Sequence, residues 1–225
     1  MRMRKKKNLD TRFENCGEYL MLLHSPVQNS DIACETEEYF DYRELFGNDN
    51  PVELEIGCGK GQFICELAKL HPEINYIAVE QDRNVIVMAA EKARDAQLGN
   101  VRFLCVPAEY LPRYLVPGSI NMIYLNFSCP FPKSHAKNRR LTHERFLKRY
   151  KVLLSKGGEI HQKTDNMQLF EFSIESFSRS GFLVKNISLD LHNSKFAEGN
   201  IVTEYERKFA SQGLPIYRLE AYIPE

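Results

Sequence analysis

The hydrophobic pattern of the chain switches repeatedly between short strand-like blocks and stretches with an apolar residue at every third or fourth position. The strand-like blocks predict seven strands, at 52–56, 76–80, 101–106, 120–127, 159–164, 182–189 and 216–223. The stretches between them predict helices, at 62–70, 84–97, 108–115, 142–154, 167–180 and 202–211. Strands that alternate with helices in this way form a mostly parallel sheet with helices on both faces. We therefore predict an α/β fold with a seven-stranded sheet.

The first 45 residues are polar and show no such periodicity. No linker rich in proline, glycine or serine divides the part that follows, and 225 residues suffice for one substantial core. The sequence predicts an N-terminal extension over residues 1–45 and a single domain over residues 46–225.

Charge is unevenly distributed, although 30 basic and 30 acidic residues give a formal net charge of zero. Residues 1–12 carry six basic residues against one acid, and residues 133–151 carry eight against one. Eleven acids against one base in residues 13–56 offset much of this excess. The two basic segments predict a surface for phosphates, which the bulk charge would argue against. The alternative is a solvated helix face and a basic terminus without a partner.

The cysteines and the longest uncharged stretch limit the location of the protein. The six cysteines have neither zinc-site nor paired spacing, and the histidines show no ligand spacing, so we expect free thiols in the cytoplasm and no metal. The uncharged stretch 114–132 is interrupted by prolines and a glycine and predicts no membrane span. Monomer and homodimer are both compatible with the sequence.

A glycine-rich loop follows the first predicted strand and precedes the first predicted helix. It reads Glu55-Ile56-Gly57-Cys58-Gly59-Lys60-Gly61, and its glycines would let a ligand approach the backbone closely. The dinucleotide-binding fingerprint needs its third glycine one residue later, and a phosphate-binding loop needs Ser or Thr after the lysine. Glu80 ends the second predicted strand, where a carboxylate can accept hydrogen bonds from both hydroxyls of a ribose. The alternative is a tight strand-to-helix turn without a ligand.

The E-x-G-x-G-x-G spelling, together with Glu80, resembles the class I S-adenosylmethionine-dependent methyltransferases. This resemblance implies a Rossmann-like fold and S-adenosyl-L-methionine as the cofactor.

The segment after the fourth predicted strand carries a more specific resemblance. It reads N-F-S-C-P-F-P-K over residues 126–133 and continues with basic residues to R-R-L-T at 139–142. It resembles the signature of the bacterial tRNA (guanine-N7)-methyltransferases, which is N-F-x-D-P-W-P-K followed by a basic cluster and R-R-L-T. The sequences K-T-D-N at 163–166 and T-E-Y-E at 203–206 also match that family. The resemblance implies transfer of a methyl group to N7 of a guanine in the variable loop of tRNA.

The resemblance and the charge pattern together give the candidate site residues, which fall into three groups. The cofactor-binding candidates are Glu55, Gly57, Gly59, Gly61, Glu80, the backbone N–H of Ala108, and Asn126. The substrate-binding candidates are Lys133, Asp165, Thr203 and Glu206. The candidates for contact with RNA phosphates are His135, Lys137, Arg139 and Arg140. Two of these assignments have a structural alternative, because Asp165 could cap a helix and T-x-x-E is also a capping box.

The sequence departs from the family pattern at three positions. Cys129 stands where the family has its proposed catalytic aspartate, Phe131 replaces a tryptophan, and Pro107 replaces an acid that contacts adenine. Guanine N7 has a lone pair and no proton, so its methylation needs neither a general base nor a covalent adduct with Cys129. A carboxylate would nevertheless stabilise the charge that develops on the guanine. The sequence therefore leaves open a tRNA-binding paralogue with weak or no catalysis and a methyltransferase with another acceptor.

Overall fold

A computed structural model describes residues 8–23 and 29–224, so the basic residues of segment 1–7 lie outside it. The chain forms two compact units, Met1–Val116 and Pro117–Glu225. Among the described residues, no helix is long and apolar enough to cross a membrane.

The first unit contains six helices and four strands within the described residues. In chain order they are α1 Leu9–Cys16, β1 Leu20–Leu22, α2 Ser30–Ala33, α3 Tyr42–Phe46, β2 Val52–Ile56, α4 Gln62–Leu70, β3 Asn75–Val79, α5 Arg83–Asp95, β4 Val101–Cys105 and α6 Leu111–Tyr114. The strands lie in the order β1-β4-β3-β2 and every pair is parallel. All residues of β2, β3 and β4 are buried, as is typical of parallel strands covered on both faces.

The predicted elements of the first unit are confirmed within one or two residues at most boundaries. The bounds of β2 and α4 are those predicted, and the N-cap of α5 is Asp82, whose side chain accepts a hydrogen bond from the Asn84 N–H. The predicted irregularity of the N-terminal segment is wrong for residues 9–16 and 20–22, which form α1 and β1, and for the short helices α2 and α3. Arg12 of α1 forms an ion pair with Glu91 of α5 at 2.5 Å, and β1 pairs with β4. Whether residues 46–225 are a single domain stays a prediction.

The second unit contains three helices and four strands within the described residues. They are β5 Ile120–Asn126, α7 Glu144–Leu153, β6 Leu154–Thr164, α8 Met167–Arg179, β7 Leu183–Ser188, α9 Glu204–Ala210 and β8 Tyr217–Tyr222. The strands lie in the order β5-β6-β8-β7, in which β5 and β6 are parallel and β8 is antiparallel to both its neighbours. The carboxyl ends of β5 and β6 therefore meet at one edge, where Asn126 lies opposite Lys163.

Two expectations for the second unit are wrong in detail. Strand β6 begins at Leu154 rather than at residue 159, because Leu154 already pairs with Ile120 of β5. The register then shifts before Glu159, and Gly157 within the irregular part has a φ of 77°. Helix α7 begins at Glu144 rather than at residue 142, and its N-cap is His143. The side chain of Thr142 is fully buried, and its hydroxyl lies 2.8 Å from the Ser173 hydroxyl of α8.

The mixed α/β fold with a mostly parallel arrangement of strands is confirmed. The described residues contain eight strands rather than seven, and the strand that the sequence did not predict is β1. A strand of three residues is too short for a hydrophobic alternation to identify it.

Candidate active site

The glycine loop of the first unit closes on the neighbouring strand. The N–H groups of Gly57 and Cys58 both donate to the carbonyl of Val79, at 2.8 and 3.0 Å, and the Gly61 N–H donates to the Cys58 carbonyl at 2.9 Å. These donors are therefore occupied within the loop and the adjoining strand end. Such a loop suits a ligand that contacts it through atoms other than a phosphate, in agreement with its departure from the dinucleotide fingerprint.

Two glycines of this loop have different roles. A Cβ at Gly61 would lie 2.6 Å from the Ala89 Cβ, so Gly61 lets the start of α4 pack against α5. A Cβ at Gly59 would meet no atom within 4 Å, although its φ of 56° still favours glycine. The loop is open beside Gly59, which is where a ligand can approach the backbone.

Two carboxylates lie at the same edge of the sheet as the loop. Glu55 on β2 is only 2% exposed and lies opposite Ala78 of β3, and Glu80 follows the last residue of β3. The Glu80 Oε1 atom accepts a hydrogen bond from the Asp82 N–H at 2.9 Å. Burial raises the pKa of Glu80, and the N–H groups of Asp82 and Gln81 act in the opposite direction. The structure thus brings the predicted acids and glycines of the first unit together.

The segment after β4 offers fewer polar groups to a ligand than the glycine loop and the two acids do. Pro107 is the N-cap of a short 3₁₀ helix, Ala108–Tyr110, and has neither an N–H nor a side-chain acceptor. The backbone N–H of Ala108 begins that helix, where no preceding turn supplies an acceptor. Cys58 of the glycine loop and Cys65 of α4 are poor nucleophiles, because burial raises the pKa of Cys58 strongly and that of Cys65 to about 12.

In the second unit, the loop after β5 contains two residues in a left-handed backbone conformation. Phe127 has φ 50° and Phe131 has φ 40°, and neither is a glycine. The Phe127 N–H donates to the Lys163 carbonyl at 2.8 Å, which fixes the loop to the end of β6. Cys129 lies between the two phenylalanines and is exposed. Strained backbone of this kind concentrates at functional sites.

Arg140, predicted to contact RNA phosphates, is almost completely buried in this structure. It is only 5% exposed, and its guanidinium donates to the carbonyls of Pro130 and Phe131 at 2.8 and 3.2 Å. The guanidinium also lies 4.4 Å from the ring centroid of Phe172. Arg140 therefore holds the backbone of the loop that carries Cys129.

The remaining predicted phosphate contacts are exposed, as is the substrate-binding candidate Lys133. Lys133 precedes a 3₁₀ helix, Ser134–Arg139, which carries His135, Lys137 and Arg139. The Arg139 guanidinium lies 4.5 Å from the ring centroid of Phe131 and remains at the surface. These four side chains form an exposed basic cluster beside the loop.

Glu206 is the centre of a buried polar network. Its side chain is fully buried, and its carboxylate lies 2.9 Å from the Lys163 ammonium, 2.9 Å from His192 Nε2 and 2.6 Å from the Asn200 amide nitrogen. Glu206 and Thr203 also form the capping box of α9, which confirms that structural interpretation. Both carboxylate oxygens already have protein partners, so Glu206 braces α9 against the end of β6. Sequence reasoning missed Lys163, for which the only signal was its position in K-T-D-N at a strand end.

The helix cap proposed as the alternative role of Asp165 is formed by the next residue instead. The N-cap of α8 is Asn166, whose Oδ1 accepts from the Leu169 N–H at 2.8 Å. Asp165 lies one residue beyond β6 and is half-buried. Its carboxylate is therefore not used for capping.

A second acidic cluster lies on β6 and β8, where Glu159, His161 and Glu220 place ligand atoms within 4.8 Å of one another. Lys185 lies 2.5 Å from Glu159, and Arg218 forms an ion pair with Glu220. Because cations already neutralise both carboxylates, we assign no metal to this cluster.

Comparison with known proteins identifies the family. A family model described as "Putative methyltransferase" matches residues 49–219. A Bacillus subtilis (strain 168) protein named tRNA (guanine-N(7)-)-methyltransferase is 49% identical over 196 residues, which cover 86% of this chain and 92% of that protein. A protein of the same name from Listeria monocytogenes serotype 4b (strain F2365) is 54% identical over 180 residues, which cover 80% of this chain and 84% of that protein.

Solved structures with low sequence identity show the same fold. The 16S rRNA methyltransferase KamB matches with a TM-score of 0.62 at 15% identity, over 84% of this chain and 96% of that chain. An antibiotic-related methyltransferase matches with a TM-score of 0.60 at 16% identity, over 89% of this chain and 97% of that chain. The fold is thus that of the methyltransferases, and the sequence relatives show that this chain belongs to the tRNA (guanine-N(7)-)-methyltransferase family.

Proposed function

We propose that the protein transfers a methyl group from S-adenosyl-L-methionine to N7 of a guanine in the variable loop of tRNA. The observation that carries this proposal is the match, over 80% or more of the chain, with relatives named for that reaction. The geometry of each unit supports one half of it.

The residues of the first unit fit the cofactor. Glu80 lies at the end of β3, where its carboxylate can accept from the ribose hydroxyls, and the opening beside Gly59 leaves room for the ligand against the backbone. Glu55 places a second carboxyl group at the same edge, where it can accept a hydrogen bond from the ligand. When bound, S-adenosyl-L-methionine supplies a methyl group on a positively charged sulfur. The Ala108 N–H completes the proposed cofactor contacts of the first unit, and Pro107 contributes neither an N–H nor a side-chain acceptor.

The residues of the second unit position the guanine and the RNA. Asp165, which is not used as a cap, can accept hydrogen bonds from the N–H groups of guanine. Lys133 is exposed beside the loop and can contact the substrate, and Thr203 keeps α9 in place. Lys137, Arg139 and His135 would contact phosphates, which fix the register of an RNA without reading its sequence.

Catalysis by this arrangement depends on orientation. The N7 lone pair attacks without losing a proton, so what the chain must supply is an in-line approach and a favourable field for the developing positive charge. Cys129 can supply no carboxylate for that field. We therefore propose a slower enzyme than one with aspartate at this position. We also propose that residues 46–225 form a single domain and that the protein is cytoplasmic.

A transfer assay that maps the modified atom tests the function. Unmodified tRNA transcripts are incubated with the protein and methyl-labelled cofactor, and 7-methylguanine is located by reduction and chain cleavage. The proposal predicts one labelled guanine in the variable loop, and Asp165→Asn is expected to weaken its methylation. Label on another atom, or in transcripts without that guanine, would contradict the proposed acceptor.

A further inference from the structure

An exposed aromatic surface lies at the edge of the second unit that carries the substrate candidates. Tyr205 of α9 is 52% exposed, although its ring also packs against two other rings. Its centroid lies 5.6 Å from that of Phe127 and 4.9 Å from that of Phe209. Phe127 and Phe209 support one part of the tyrosine side chain, and the remainder faces solvent.

Lys163 fixes the position of this surface from two directions. Its backbone carbonyl accepts from the Phe127 N–H at 2.8 Å, and its ammonium lies 2.9 Å from the buried carboxylate of Glu206. Glu206 is the next residue after Tyr205, and the capping box with Thr203 fixes the first turn of α9. The tyrosine is thus held by buried groups on both sides although its own ring is exposed.

The surface lies where the substrate candidates meet. Phe127 directly follows β5 and is two residues from Cys129, and Asp165 is two residues beyond Lys163 at the end of the adjacent parallel strand β6. A ligand stacked on Tyr205 would therefore contact the same edge as the Cys129 loop and Asp165.

Proteins bind unpaired RNA bases by stacking them on aromatic side chains while polar groups read the base edge. We infer that the exposed face of Tyr205 stacks the guanine that is methylated, with its edge toward Asp165 and the Cys129 loop. This inference rests on the proposed function and adds a residue to its substrate site. An exposed aromatic residue that only stabilises α9 is the competing explanation.

The absence of tryptophan from the chain gives a direct test. Tyr205→Trp introduces a single indole, whose fluorescence falls when guanine stacks on it. The variant is titrated with an unmodified tRNA transcript, and binding is followed independently by filter retention of labelled tRNA. Leu189→Trp, at a position 62% exposed in the same unit, is the matched control.

The inference predicts that saturating tRNA lowers the emission of Tyr205→Trp by at least about half and leaves that of Leu189→Trp nearly unchanged. A transcript with an abasic site at the target position should bind and restore most of the emission. Unchanged emission in a complex that retains tRNA would overturn the stacking inference and leave the proposed function standing. Absence of tRNA retention by the wild-type chain would contradict the proposed function itself.

A second pair of variants keeps the test independent of the indole. Tyr205→Phe retains the ring, whereas Tyr205→Leu retains only the hydrophobic bulk. We expect Tyr205→Leu to raise the KM for tRNA about tenfold or more, and Tyr205→Phe to stay within about twofold of wild type. Cofactor affinity should be the same in both. Equal KM values for the two variants would show that the ring contributes only to packing.

Discussion

Acidic residues occupy motif positions in both units, but the two units use them differently. In the first unit, Glu80 lies at an edge with room beside the glycine loop, and burial raises its pKa. In the second unit, Glu206 is fully buried and bonded to Lys163, His192 and Asn200. A motif acid with a raised pKa beside an opening indicates a ligand site. A motif acid whose oxygens both have protein partners indicates an internal brace, even where the motif suggests a substrate contact.

The largest expected effect comes from removing the brace. Glu206→Ala leaves the Lys163 ammonium buried without its anionic partner, and we expect a loss of about 3–5 kcal/mol in the free energy of unfolding. Glu206→Gln retains an acceptor and should lose less. Urea denaturation measures both, with the exposed Glu171→Ala as a control that should change stability by no more than about 0.5 kcal/mol. Normal stability with a raised KM for tRNA would instead identify Glu206 as a substrate contact.

Glu80→Gln should weaken cofactor binding and leave stability largely intact, the reverse of what we expect for Glu206→Ala. We expect cofactor affinity to fall about tenfold or more, or roughly 1–3 kcal/mol, because a charged acceptor for hydroxyl groups is lost. Calorimetric titration with S-adenosyl-L-methionine measures this loss. Glu55→Gln offers a comparison at the same edge of the sheet.

The direction in which the pKa of Glu80 is shifted determines whether Glu80→Gln stabilises or destabilises the folded protein. Burial raises this pKa above its ordinary value, so the folded state binds the proton more tightly than the unfolded state does. The contribution of Glu80 to stability therefore falls as pH rises through the folded pKa, and at neutral pH the ionised side chain is a cost. Glu80→Gln removes this slope, and its ligand-free melting temperature should match or exceed that of wild type at pH 7. A clearly lower melting temperature at pH 7 would contradict this account of Glu80.

The smallest effects are expected in the basic cluster. Lys137→Ala and Arg139→Ala should each reduce the slope of log affinity for tRNA against log salt by about one unit. Arg140→Lys should leave the slope unchanged, because Arg140 is buried against the Pro130 and Phe131 carbonyls. Equal changes in slope for all three variants would show that Arg140 also reaches phosphate.

Much of the fold could be predicted because short strand-like blocks alternate with helical periodicity from residue 51 onward. The three-residue β1 could not be predicted, since its identity depends on pairing with β4. The glycines and acids of the loop could be located from their spacing. Which N–H groups remain available to a ligand could not, because that depends on the neighbouring strand.

The sequence alone could not show that two adjacent residues have different environments. Arg139 and Arg140 are adjacent, yet the first is exposed and the second is buried. The partners of Glu206 are separated along the chain, with Lys163 43 positions away, so only the tertiary structure brings them together. The exposure of Tyr205 could not be predicted from the sequence either, because it depends on how α9 is anchored.

The methyl-transfer rate with and without a carboxylate at position 129 tests the central claim most directly. Single-turnover transfer to the same tRNA transcript is measured for the wild-type chain and for Cys129→Asp, at saturating cofactor. We predict measurable 7-methylguanine formation by wild type and a rate about 10²–10³-fold higher for Cys129→Asp, as expected for gaining one preorganised electrostatic group. If wild type bound both ligands and formed no 7-methylguanine while Cys129→Asp did, the claim that this chain is itself a methyltransferase would be contradicted.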